Sequence, residues 1–582
     1  MKIKKFLTIP KHFNYHLYIL PFWKREVLIL ILNSATMFLG LVNPYLTKLL
    51  VDKAYGNKDF KLFITLVITG GILFVLNNLI SAIVSYMKSA IRTKIKFNLT
   101  VKVFSKLQSL PYSYFQNSST GQNMYRFNYD IDTVSSLVSD FLPQLIQLIF
   151  RTVTVMVILF ALNWKIAFFC LLLIPLQYYI SDYCNKKMRK KWEETIEIGQ
   201  KSFSILQEIL THIHLIKAFG KERVEKNRYI KILIENLRFT LSIQKLQSLI
   251  SNIQQLSSRI FTGLILFYGG YQVIKGEIPL GSLIAIGMYL GQASGLHGSF
   301  SGLSQQVAMT LISCERLDTI LNSESDEEKR KEAIVMKNTG GDIHFKNISF
   351  SYTEEKRIIK NLSFSIKHGI FAGLSGPSGC GKTTIINLLL KLYKPEEGEI
   401  TLNGSDINKI EKKSFYNQIG VALQNSYLWN DTLENNIRYG KSNATEEEIK
   451  EAAEVACIDD FIDSLPEGYR TLIGENACKI SEGQRQRISI ARAVIKKPAI
   501  LILDEGLSSV DGETENKIIN NIRNYLKNST VIIISHRLST IKKVDLVYFL
   551  MDSERIDEGT CEELLGKNED FKHYLNLEEI EK

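Results

Sequence analysis

At 582 residues the chain is too long for one ordinary core, and at roughly 100 to 200 residues per domain it must hold several units. A formal charge of +11 is compatible with nucleic acid, an anionic membrane face or neither, so the placement of Lys and Arg has to decide. Seven cysteines with no CxxC pair and no tight His/Cys cluster argue against a disulfide framework and against a zinc site.

The chain opens with "MKIKKFLTIPKHFNYHLYILPFWKRE", basic and aromatic, with no small-residue cleavage site after a short apolar core. This predicts an amphipathic segment lying at an interface, anchored by Tyr18, Phe22 and Trp23, rather than a signal peptide. About 26 residues before the first apolar run are fewer than any domain needs. No peptidase domain is therefore expected there.

Six apolar stretches follow: Val27 to Val51, Leu62 to Tyr86, Phe141 to Leu162, Ile166 to Ile180, Ile260 to Ile274 and Leu280 to Phe300. Crossing hydrocarbon takes about 20 mainly apolar residues, so the first three suffice, and the later ones borrow polar neighbours that face a wet cavity. Segments 88 to 137 and 181 to 247 are long and basic, with Lys88, Arg92, Lys94 and Lys96 in one and Lys186, Lys187, Arg189, Lys190 and Lys191 in the other. The turns at Asn163 to Lys165 and Lys275 to Glu277 are short. Positive charge on long loops places them, the N-terminus and everything after residue 305 in the cytoplasm, which accounts for the net charge without nucleic acid. Within these loops, apolar residues recur at spacings of three and four, so the spanning helices are expected to continue far beyond the membrane. "NSESDEEKRKE" at 322 to 332 reads as a charged, solvated linker.

The second half reads as α/β. "IFAGLSGPSGCGKTTIINLLLKLY" is strand, Gly-rich turn, helix, and Gly376, Pro377, Ser378, Gly379, Cys380, Gly381, Lys382 and Thr383 match GxxxxGK[ST], with Thr384 next. Glycines let backbone N–H groups close on phosphates at a helix start, Lys382 reaches the terminal phosphates of ATP, and the Thr383 hydroxyl is suited to Mg2+. "PAILILDEG" is a buried strand ending at Asp504, placed to hold Mg2+ through water, and Glu505, placed to polarise the attacking water. Alone, such a pair is more often a helix cap. "TVIIISHRLS" brings His536 to another strand end, where it could sense the γ-phosphate; alone it would be an ordinary strand-end histidine.

In this order the motifs resemble, across nearly the whole chain, the ABC exporter half-transporters, in which a six-helix, all-α membrane domain with long cytoplasmic extensions is followed by an α/β P-loop domain. The resemblance implies boundaries at 1–26 for the interfacial segment, 27–321 for the membrane domain, 322–341 for the linker and 342–582 for the ATP-binding domain. It implies that Tyr352 stacks on adenine, that Gln424 joins catalysis and Mg2+ binding as the Q-loop, and that His536 is the switch histidine. Ser481, Gly483 and Gln484 in "ISEGQ" would form the signature loop, and Ser508 and Asp511 in "SSVD" the D-loop. The ordinary alternatives are a strand aromatic for Tyr352 and a surface polar residue for Gln424.

In that family ATP lies between the phosphate loop of one domain and the signature loop of another, so the resemblance implies a second copy or a related half-transporter. The usual signature is LSGGQ; here Ile480 and Glu482 occupy the first and third places. A carboxylate near phosphate is unfavourable unless a cation such as Arg485 or Arg487 takes it up. "DEGLSSVD" also departs from the common DEATSALD while keeping both acidic ends. Inactive members of asymmetric pairs often lack the carboxylate or the histidine, whereas Glu505 and His536 are both present, so a homodimer is the simpler reading and a heterodimer the alternative. "FQNSSTGQNMYRF" (115 to 127) and "LTHIHLIKAFGKE" (210 to 222) resemble coupling helices, with His212 where many members carry Gly.

Cargo is the least determined feature. Gln144, Gln147 and Arg151 share one helix face, as do Gln255 and Arg259, and these group with His297 as a candidate cavity for an amphipathic lipid, peptide or drug. Interhelical hydrogen bonding or snorkelling explains the same residues equally well. The expected setting is a bacterial plasma membrane, multi-pass, with the ATP-binding domain cytoplasmic. A membrane-bound kinase and a non-pumping channel or regulator are the competing classes; the first leaves the signature loop unexplained.

Overall fold

A computed structural model describes residues 20–323, 334–336, 340–353, 356–424, 426–474 and 480–580, with some helical side chains, including that of His297, outside the described set. Tyr18 and most of the 322–341 linker also lie outside the described residues. The chain divides into two compact units, one running to Leu110 and from Tyr114 to Ser325, the other comprising Pro111–Ser113 and the remainder.

Among the described residues, the first unit is built on six long helices: α1 (Trp23–Leu49), α2 (Phe60–Ser109), α3 (Ile131–Leu162), α4 (Trp164–Thr211), α5 (Glu222–Ile274) and α6 (Leu280–Leu321). The 50 residues of α2 reach about 75 Å at 1.5 Å per residue, more than twice the hydrocarbon thickness, so the expected extensions beyond the membrane are present. Local chemistry sets the ends. Asp59 caps α2 by accepting from Leu62 N at 3.0 Å, and the helix stops where Pro111 disfavours a helical residue before it. Among the described residues, Leu20–Tyr55, Phe60–Ser109 and Thr120–Leu162 carry stretches apolar enough to cross a membrane; Thr262–Ile274 and Leu280–Gln292 are shorter apolar runs. Short helices Tyr112–Asn117, Thr120–Tyr125 and Ile213–Ala218 occupy the two expected coupling segments. His212 has φ −105°, a conformation that needs no glycine.

Pro44 sits inside α1 and cannot donate to the carbonyl of Gly40 four residues earlier. That carbonyl accepts instead from the Gln292 side chain of α6 at 3.3 Å, and the Tyr289 hydroxyl of α6 donates to Leu41 O at 2.7 Å. Farther along, Asp52 accepts from Gly281 N, the start of α6, at 2.6 Å. A Cβ on Gly281 would lie 2.6 Å from Lys48 O, so only glycine lets the two helices meet there. In hydrocarbon no water can replace these partners.

Among the described residues the second unit holds three sheets, the smallest a pairing of β7 (Asp431–Thr432) with β8 (Leu472–Ile473). An antiparallel sheet, β2-β1-β4-β5, is formed by β1 (Ile343–Ser351), β2 (Arg357–Ile366), β4 (Glu397–Leu402) and β5 (Ser405–Asp406). The larger has the order β12-β11-β3-β10-β9-β6, with β3 (Phe371–Ser375), β6 (Ile419–Ala422), β9 (Ile500–Asp504), β10 (Thr530–Ile534), β11 (Leu546–Leu550) and β12 (Ile556–Gly559). Its strands run parallel apart from β12, and every residue of β3, β9 and β10 is buried. That matches a parallel sheet covered on both faces. Three helices bear on function: α7 (Lys382–Leu389), α8 (Glu482–Val494) and α9 (Gly512–Tyr525).

Gln292→Leu leaves the Gly40 carbonyl without its partner and is expected to destabilise the membrane unit by about 1 kcal/mol. Thermal unfolding of the detergent-solubilised protein checks this, and in a Pro44→Ala background, where the introduced alanine supplies the missing N–H, the same substitution should cost clearly less.

Candidate active site

The phosphate loop leaves the end of β3 and enters α7. Gly376 has φ +148°, and a Cβ there would lie 2.3 Å from Leu550 O, so the close approach of β11 demands glycine. Gly381, at φ +107°, caps α7 in a left-handed conformation. The Lys382 ammonium donates to Gly376 O at 2.7 Å and Pro377 O at 2.9 Å and lies 3.8 Å from Cys380 Sγ. Loop and lysine are thus one interlocked unit, with the helix-start amides facing the same place. Thr383 follows in the first turn of α7, and the buried Thr384 hydroxyl is 3.2 Å from the Tyr352 hydroxyl, which also accepts from Asn387 at 3.4 Å. The Tyr352 ring stands edge-on to Phe350 and Tyr393 at 5.0 and 5.1 Å, and it remains 42% exposed, which leaves surface for a stacking partner.

At the end of β9, Asp504 is buried, and its carboxyl is pushed up to about 6 by burial first and by neighbouring Glu505 second, with Lys382 pulling the other way. Glu505 turns out of the strand with φ +48°, a left-handed conformation costing roughly 1–2 kcal/mol outside glycine. Its backbone is pinned on both sides, its N–H donating to Ile534 O at 3.1 Å and its carbonyl accepting from Ser508 N at 3.0 Å. The side chain meets Gln424 Nε2 at 2.5 Å and His536 Nδ1 at 3.7 Å. Gln424, Glu505 and His536, expected from three separate motifs, therefore come together. This is the arrangement needed to orient a water at a phosphate.

The signature segment lies elsewhere in the unit. Ser481 caps α8: its hydroxyl accepts from Gln484 N at 3.2 Å, while the Gln484 side chain accepts from Ser481 N at 2.9 Å. This capping box was legible as S-x-x-Q and was missed. Gly483 starts the helix against Ser509, where a Cβ would lie 2.7 Å from its carbonyl oxygen. Glu482 is half-exposed and lies 3.5 Å from Arg485, so the cation anticipated for it is in place. Asp511 accepts from Thr514 N at 2.9 Å as the cap of α9, and Ser508 accepts from Gln486.

Sequence reading also passed over Asn436 and Arg492. Arg492 donates to Tyr427 O and to both oxygens of Asn436, and Asn436 accepts from Trp429 N, tying down the segment after Gln424. The proposed cargo residues are not gathered to the same degree. Gln144, Gln147 and Arg151 are half-buried on α3, Gln255 and Arg259 are exposed on α5, and the side chain of His297 lies outside the described residues. A cavity of about 350 Å³ in this unit is lined by other residues, among them Tyr125, Tyr129, Trp192, Phe203 and Tyr229.

Helices of membrane-spanning length joined to a P-loop unit with a strand-end Asp-Glu pair define a membrane-embedded, multi-pass ATPase. Residues 27–296 match the family model of the ABC transporter transmembrane region, and residues 359–508 that of the ABC transporter. The chain is 31% identical over 556 residues to the ATP-dependent lipid A-core flippase of Syntrophus aciditrophicus, covering 95% of this chain and 92% of that protein. It is 30% identical to the exotoxin translocation ATP-binding protein PaxB of Pasteurella aerogenes, over 96% of this chain and 78% of that one. A solved bacterial Atm1-family ABC exporter with ATP bound shares the fold at a TM-score of 0.88 and 24% identity, covering 95% of this chain and 98% of its own. The chain belongs to the ABC transporter family as an exporter half-transporter, binds ATP and couples its hydrolysis to transport.

The Glu482–Arg485 pair yields a direct check. Arg485→Ala is expected to raise the KM for ATP about two- to threefold by freeing the carboxylate, and Glu482→Gly in the same chain should restore it. Steady-state ATPase titrations of both variants measure the effect.

Proposed function

We propose that two copies of this chain form an ATP-driven exporter of an amphipathic lipid with a polar or anionic head, working by alternating access in a bacterial plasma membrane. The observation that carries the reading is the convergence of Lys382, Asp504, Glu505, Gln424 and His536 at one edge of the large sheet, in a chain whose other unit is built of membrane-spanning helices. The signature helix start, with Ser481, Gly483 and Gln484, would serve the ATP held by the second copy. Mg2+ would be held by Thr383, Gln424 and, through water, Asp504; it would neutralise phosphate charge. Glu505 would orient the attacking water, His536 would contact the γ-phosphate and Tyr352 would stack on adenine.

The proposed domains are 1–26, 27–321, 322–341 and 342–582, with the N-terminus and the ATP-binding domain cytoplasmic. Segments 115–127 and 210–222 would transmit closure of the ATP-binding domains to the helices, a rigid-body switch between two arrangements. Lipid cargo is supported by relatives named for lipid A-core flipping and by the half-buried Gln144, Gln147 and Arg151 on one face of α3.

In lipid nanodiscs the wild type should hydrolyse ATP and be stimulated by an anionic amphipathic lipid, whereas Glu505→Gln should lose about a hundredfold in kcat while still binding ATP. In proteoliposomes an Arg151→Ala/Arg259→Ala variant should translocate that lipid more weakly. Stimulation by peptides alone overturns the lipid reading, and unchanged lipid transport in the double variant overturns the placing of Arg151 and Arg259 in the cargo cavity.

A further inference from the structure

The cavity of about 350 Å³ in the first unit borders both expected coupling segments. Tyr125 is the last residue of the short helix Thr120–Tyr125, and Phe203 and Leu206 stand on α4 shortly before Thr211, where the chain leaves for Ile213–Ala218. Tyr229 and Asn236 come from α5 and Met309 from α6.

The frame around this space is closely fitted. Gly121 in the short helix meets α4 so tightly that a Cβ would lie 2.6 Å from Ser204 Cα, and Ser119 Oγ is 3.2 Å from Ser204 Oγ. Farther back on α4, a Cβ on Gly199 would lie 3.3 Å from the Tyr125 hydroxyl. Small residues thus seat the coupling helix on α4, while the rings of Tyr125 and Tyr129, stacked at 5.1 Å, border the space. The cavity is therefore preformed, as ligand sites usually are.

Its chemistry narrows the occupant. Five of the lining side chains are aromatic: Tyr125, Tyr129, Trp192, Phe203 and Tyr229. Hydroxyl and amide groups come from the tyrosines, Thr195, Ser202 and Asn236, and none of the described lining residues is Lys, Arg, Asp or Glu. An ion placed there would lose water without gaining a counter-charge. Aromatic faces favour stacked or edge-on contact with another ring, and the polar groups suit hydrogen bonds at that ring's rim. At about 350 Å³ the space sits at the low end of small-molecule sites, roughly 300–1,000 Å³, and is too small for a helix or a whole lipid.

We propose that this cavity binds an uncharged, planar aromatic molecule of the cytoplasm, which regulates ATP turnover by bracing the two coupling segments against each other. A ligand held between the short helix and the α4–α5 pair favours the arrangement in which the cavity exists over any in which its walls part. A cycle that needs both arrangements then slows. The regulatory step rests on the alternating-access reading above; the binding does not.

The test uses the full chain in lipid nanodiscs with lumichrome, an uncharged three-ring heterocycle, as the probe and empty nanodiscs as the blank. Trp192 is 3% exposed and lines the cavity, so bound lumichrome should quench its emission, and the quenching should vanish in Trp192→Phe. Binding is expected with a Kd of about 10 µM that saturating ATP leaves unchanged, and it should lower kcat about threefold without altering the KM for ATP. Asn236→Leu keeps the volume and removes the rim amide, so affinity should fall about tenfold with the melting temperature held. Gly199→Leu fills the space and should abolish binding; if it does not fold, Asn236→Leu decides. Neither anionic anilinonaphthalene sulfonate nor cationic ethidium should displace the probe, and displacement by either overturns the uncharged class. Absence of quenching up to the solubility of lumichrome means that the second copy or a segment of this chain fills the cavity, and overturns the proposal. Quenching lost on adding ATP places the probe at Tyr352 and overturns it as well. Binding that leaves kcat unchanged overturns the regulatory role. Slowed turnover in a protein that moves no lipid overturns the lipid-exporter reading and leaves the site standing.

Discussion

Everything at the ATP site depends on the in-register parallel pairing of β3, β10, β9 and β6. Ile534 pairs with Leu374 on one side and Asp504 on the other, and Leu503 pairs with Ala422. Four strands therefore end at one level, each about 4.8 Å from the next. The phosphate loop, His536, the Asp504–Glu505 pair and Gln424 are the residues that follow those ends. A crevice at the carboxyl ends of parallel strands is where such sheets bind ligands. A shift of register by one residue would carry Glu505 away from both Gln424 and His536.

The same sheet makes unfavourable local states tolerable. Glu505 keeps a left-handed backbone because Ile534 and Ser508 hold it from both sides, and Asp504 remains buried beside another carboxylate because Lys382 is near. Strained and desolvated groups persist where their surroundings over-determine them, and here they lie at the expected point of chemistry.

The membrane unit meets a different constraint, that each backbone polar group needs a partner inside the protein. Pro44 removes one donor, and α6 supplies the replacement through Gln292 and adds a bond from Tyr289 to the neighbouring carbonyl of Leu41, so a break in one helix becomes a polar seam with another. At the far end of this seam, Gly281 permits contact with Lys48 O and Asp52. The seam joins the first and last spanning helices of the unit.

The sequence by itself determined the two-part architecture, the family and the individual site motifs. Apolar runs of membrane length, the period of three and four in the basic loops, and Gly376 to Thr383 are local patterns, and local patterns survive without knowledge of the fold. It also showed Glu482 as a departure from the common signature, with Arg485 within reach. Only the tertiary structure decided which residues meet. Gln424 and Glu505 are 81 positions apart, Gln486 and Ser508 22, and Gln292 and Gly40 252. Such pairings follow from strand register and helix packing, and neither leaves a periodic mark on one chain. The capping box at Ser481 and Gln484 was within reach of sequence reading, because its two partners lie only three residues apart. The cavity beside Tyr125 was not, because Trp192, Phe203 and Tyr229 read as ordinary helical aromatics until α4 and α5 are seen to bring them to one space.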